Sequence, residues 1–75
     1  MEDDDDPLTP AEEKELKARL RFLQQEHADL DAAIDALGAM PIPDQLRIAR
    51  MKRRKLSLRD EIVKIEDRIL PDIIA

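Results

Sequence analysis

His27 is the sole imidazole of the chain, and hydroxyl side chains occur only at Thr9 and Ser57. Nucleophilic catalysis needs a hydroxyl or thiol within hydrogen-bond reach of a base. In the hairpin derived below, neither hydroxyl comes near His27. Asp60 and Glu61 are the residue types of an acid–base pair, but adjacent positions on a helix diverge, which suits solvation. With no cysteine, no second histidine and a single glycine, Gly38, the chain has neither a metal-ligand spacing nor a glycine-rich loop for phosphate. The expectation is therefore no catalytic residue, no metal and no cofactor, and a protein that works by binding.

The densest chemistry is cationic: Arg47, Arg50, Lys52, Arg53, Arg54, Lys55 and Arg59. Clustered cations release counterions from phosphates, so nucleic-acid binding through this patch is the alternative functional reading. Three features weigh against it. At about 100° per residue the side chains spread around most of a helix. No aromatic residue stands among them for base stacking, and the net charge is -5. Charges are also unevenly divided, with 12 acids against 4 bases up to Leu37 and 6 against 9 from Gly38 onward. Glu26, Asp29, Asp31 and Asp35 are thus available as partners across a hairpin.

The elements that would position these residues are helices. Leu, Ile, Ala and charged residues dominate and Phe22 is the only aromatic, which suits helices and starves a sheet. Thr9-Pro10-Ala11-Glu12 reads as a capping box with proline at the first helical position. Leu16, Leu20, Leu23, His27, Leu30, Ile34 and Leu37 then alternate at steps of four and three, a coiled-coil seam with one polar break at His27. Gly38 is expected to stop the helix, with Pro41, Pro43 and Asp44 making the turn and a new start. On the second helix Ile48, Met51, Lys55, Leu58, Ile62, Ile65 and Ile69 repeat the pattern with one break, Lys55.

A turn this short makes the two helices antiparallel neighbours, pairing residues whose numbers sum to about 81. Ile34 then stacks on Ile48, Leu30 on Met51, Leu23 on Leu58, Leu20 on Ile62 and Leu16 on Ile65. His27 falls in one layer with Lys55, so that the two exceptions match. That layer reads as a register pin, with a pH sensor as the functional alternative, because imidazole ordinarily titrates near neutrality. The expected fold is all-α: a coiled-coil-like antiparallel hairpin over residues 9–70, with helices at about 10–37 and 44–70 and the turn at 38–43. Residues 1–8, with Asp3 to Asp6, are expected to form a disordered acidic tail, and 71–75 a short apolar tail.

A second apolar row, Ala49, Leu56, Val63 and Leu70, recurs every seven residues on the second helix, turned roughly 100° from the seam. Phe22, with Ala33 and Ala36, is expected to line the same groove. A single core of this size supplies only about 3–5 kcal/mol and has no disulfide to help it. The expected partner is a second copy in a homodimeric four-helix bundle, with a helix of another protein as the alternative. A membrane partner is not expected, and neither a signal peptide nor an apolar run near the ~20 residues of a span is present, which makes the cytoplasm the expected compartment.

The stretch Met51-Lys52-Arg53-Arg54-Lys55-Leu56-Ser57-Leu58-Arg59-Asp60-Glu61-Ile62 resembles the YdcH-like family of small bacterial proteins of unknown function. Glu26-His27-Ala28-Asp29-Leu30-Asp31 with Ile34 is similar to that family's first-helix pattern, and together the two stretches span about Phe22 to Glu66. Met51 stands where leucine is more typical, and arginines stand where lysines are common. The resemblance implies a helical hairpin from a bacterial cytoplasm and carries no activity with it.

Overall fold

The computed structural model describes residues 8–69. Most of the expected acidic tail, Met1 to Pro7, lies outside the described residues, as do Leu70 and the tail from Pro71 to Ala75. Two helices follow one another, α1 over Pro10–Gly38 and α2 over Gln45–Ile69, with no strand among the described residues.

Helix α1 begins where side chains take over the amides that its first turn leaves without partners. The Glu12 amide donates to the Thr9 hydroxyl at 3.1 Å, and the Thr9 amide donates to Glu12 Oε1 at 3.0 Å. Pro10 occupies the first turn, where its missing N–H costs nothing.

The C-terminus falls within one residue of the sequence expectation. Gly38 is the last helical residue, and the cap is Ala39 in a right-handed conformation (φ -85°, ψ -6°). Ala39 N–H donates to the carbonyls of Asp35 and Ala36, and Met40 N–H to that of Leu37 at 3.3 Å. The helix thus tightens its last turn and stays right-handed throughout. Pro41 supplies the stop: its ring disfavours helical backbone at Met40, and it has no amide to continue the ladder. Asp44 then caps α2 from outside, its Oδ1 accepting from the Arg47 amide at 3.0 Å.

The two helices pack antiparallel along the seam. Arg19 reaches Glu61 and Arg54 reaches Glu26, each at 3.7 Å, which fixes the direction and a register close to the expected one. Leu23, Ile34, Ile48, Leu58 and Ile65 are the buried hydrophobic residues, and all five are seam positions. Leu23, Leu58 and Ile65 form one cluster, with Leu16, Leu20, Leu30, Ile62 and Ile69 packed on it. Ile34 and Ile48, nearer the turn, are buried outside that cluster.

Leu58→Ala leaves a hole that a two-helix seam cannot close, and it should lower unfolding free energy by about 2–4 kcal/mol. Leu46→Ala, at a position that is 65% exposed, should change it by less than about 0.5 kcal/mol. Urea denaturation followed by circular dichroism measures both, and equal losses would contradict this assignment of the core.

Candidate functional site

Two surfaces carry the candidate residues: the polar layer in the seam and the outer row of α2. His27 and Lys55 are both half-buried seam residues. Lys55 turns its ammonium toward the solvent edge of the seam and donates to Asp31 Oδ1 at 2.6 Å. Asp31 stands one turn beyond His27 on α1, so the cation that the sequence paired with imidazole meets an acid instead.

The bond to Lys55, and then its charge, hold the Asp31 carboxyl below the ordinary carboxylate range. Desolvation opposes this, and His27 adds a smaller lowering. A long flexible cation can bury its methylenes in an apolar seam while its head stays paired at the edge. Lys55 can therefore occupy a core position without leaving a buried charge unmatched.

The basic stretch is exposed at Arg47, Arg50, Lys52, Arg53, Arg54 and Arg59. Arg54 is engaged with Glu26, and Lys55 with Asp31. Of the other acids named as partners, Asp29 accepts from Gln25 of its own helix at 2.9 Å, and Asp35 makes no ion pair among the described residues. The cations radiate from α2 and do not gather on one face.

Leu56 and Val63 are 62% and 44% exposed, and Ala49 is exposed beside them. Phe22 is 59% exposed, Ala36 is exposed and Ala33 half-buried. The ion pairs decide which flank each residue occupies. Phe22 lies three positions after Arg19 and four before Glu26, so it shares the flank where both bridge to α2. Leu56 lies two positions after Arg54, roughly 160° around the helix, and belongs to the opposite flank. Phe22 and the α2 row are thus back to back across the hairpin and do not line one groove. Seam periodicity alone could not reveal this, because it does not say which flanks meet.

Sequence reasoning also passed over the apolar residues in the turn and at the start of α2. Met40, Ile42 and Leu46 are 52%, 88% and 65% exposed. The signal was present in apolar residues at a connection where polar ones are the rule.

A shallow groove at the open end is lined by Leu8, Glu12, Glu15, Leu16, Arg19 and Arg68. Charges of both signs rim it and it encloses nothing. Among the described residues no group of three or more His, Cys, Asp or Glu is placed to hold a metal ion. No helix among them is long and apolar enough to cross a membrane.

The model of the family described as Protein of unknown function (DUF465) matches residues 20–66. The chain belongs to this family. YdcH-like proteins are members of it, so the resemblance read from Met51 to Ile62 and from Glu26 to Ile34 points to the same group. The matched DUF465 segment contains the polar layer, the basic stretch and the outer row at Ala49, Leu56 and Val63. No curated protein and no solved structure matches the chain.

The depressed Asp31 acidity sets a sign for pH. Its pairing with Lys55 stabilises the hairpin fully above the ordinary carboxylate range, and that contribution is lost as pH falls through the lowered Asp31 value. Asp31→Asn should therefore lower the melting temperature at pH 7 and leave it nearly unchanged near pH 2. Thermal melts of both proteins at the two pH values test this, and an equal deficit at both would contradict it.

Proposed function

We propose that the protein acts by helix–helix association, presenting the outer row of α2 to a second copy and completing a four-helix bundle. The observation that carries this reading is the exposure of Leu56 and Val63 on a helix whose seam stripe is already buried against α1. A helix apolar on two faces gains from covering both, since each Å² of apolar surface removed from water is worth about 25 cal/mol. The associating face is Ala49, Leu56 and Val63. Phe22, on the other flank, belongs to a separate surface, and Leu70 lies outside the described residues.

Such a module is an adaptor or regulator: it contributes a surface and performs no reaction. Nucleic-acid binding is the weaker alternative. It would need the cations on one face, whereas Arg54 and Lys55 are tied to Glu26 and Asp31 and the rest radiate. Steep salt dependence of any retention on DNA or RNA would be its signature.

Sedimentation equilibrium tests the association directly. Wild-type protein should sediment as a dimer, and Leu56→Asp/Val63→Asp as a folded monomer with unchanged helicity by circular dichroism. A double variant with the mass of wild type would overturn the assignment of this face.

A further inference from the structure

The charges beside the outer row of α2 change sign along it. Lys52 and Arg53 stand four and three positions before Leu56, while Glu66 and Asp67 stand three and four positions after Val63. Residues three and four apart share a helix surface, so each apolar residue carries a pair of neighbours, cationic at Leu56 and anionic at Val63. Among the described residues none of these four charges is engaged in an ion pair within the hairpin. Midway between Leu56 and Val63, Arg59 and Asp60 stand side by side and sum to zero. The row is thus symmetric in hydrophobicity and antisymmetric in charge about its centre.

A second copy is the one partner whose pattern is related to this one by symmetry. We infer that two copies pair through α2 antiparallel, about a two-fold axis passing between Arg59 and Asp60. Leu56 then meets Val63 of the other copy, Lys52 faces its Glu66, and Arg53 faces its Asp67. Each contact occurs twice, as an isologous interface requires. A parallel pairing stacks Lys52 on Lys52 and Glu66 on Glu66, so it repeats like charges at every flanking position. The antiparallel one opposes them there and brings like charges together only at the axis, where Arg59 and Asp60 each meet their own copy. Orientation is selected by charge, while the apolar row supplies the attraction.

The inference rests on the association proposed above, and charge reversal separates the two. Lys52→Glu/Arg53→Glu makes both ends of the row anionic. Antiparallel pairing then meets repulsion at every flanking contact, and the dimer dissociation constant should rise by about tenfold or more. Adding Glu66→Lys/Asp67→Lys restores opposite charges in the antiparallel arrangement, and the fourfold variant should return to within about threefold of wild type. In a parallel dimer neither change matters, since like meets like in all three proteins. Sedimentation equilibrium of the three, at low ionic strength and with helicity checked by circular dichroism, reads the constants. A dimer that ignores the first reversal, or that the second fails to rescue, would overturn the antiparallel register while leaving association standing. A monomeric wild type would overturn both.

Discussion

Two helices share only one seam, and the rest of the molecule follows from that constraint. An α-helix turned toward a single neighbour buries one stripe, and here the stripe yields the buried residues Leu23, Ile34, Ile48, Leu58 and Ile65. No third layer covers the outside of either helix among the described residues. Apolar side chains placed off the seam therefore stay in water, as Phe22, Leu56 and Val63 do. In a larger domain such residues would be core. In this one they are surface.

The seam itself is not uniformly apolar. Lys55 occupies a position that periodicity assigns to the core, and it is tolerated because Asp31 takes its charge at the solvent edge. Ile34 and Ile48 lie on the turn side of this layer, and the cluster of Leu23, Leu58 and Ile65 on the other. The layer thus costs some apolar burial, and the ion pair with Asp31 keeps the charge of Lys55 matched.

Much of this hairpin was legible in the residues. The alternation of four and three, the Thr9 capping box and the short proline-bearing turn follow from local chemistry, which a sequence displays. Gly38 marked the end of α1 to within one residue, and Pro41 explains why the chain needs no left-handed residue there. At the polar position, Lys55 was marked by its break in the apolar pattern, but Asp31 is an ordinary exposed acid until Lys55 reaches it. The sidedness of the surface was the least legible part. Whether Phe22 faces the same way as Leu56 depends on which flanks of the seam meet, and the bridges of Arg19 to Glu61 and Arg54 to Glu26 settle that only in three dimensions. Membership of DUF465 agrees with the small helical form and adds no activity.

The proposed second copy would cover the outer row and so add stability to a fold that has only a thin seam of its own. The most direct measurement is the melting temperature as a function of protein concentration, since folding coupled to association obeys mass action. Over a hundredfold range of concentration, the melting temperature should rise steadily. A midpoint that stays constant over the same range would mean that the hairpin is complete alone and would contradict the account.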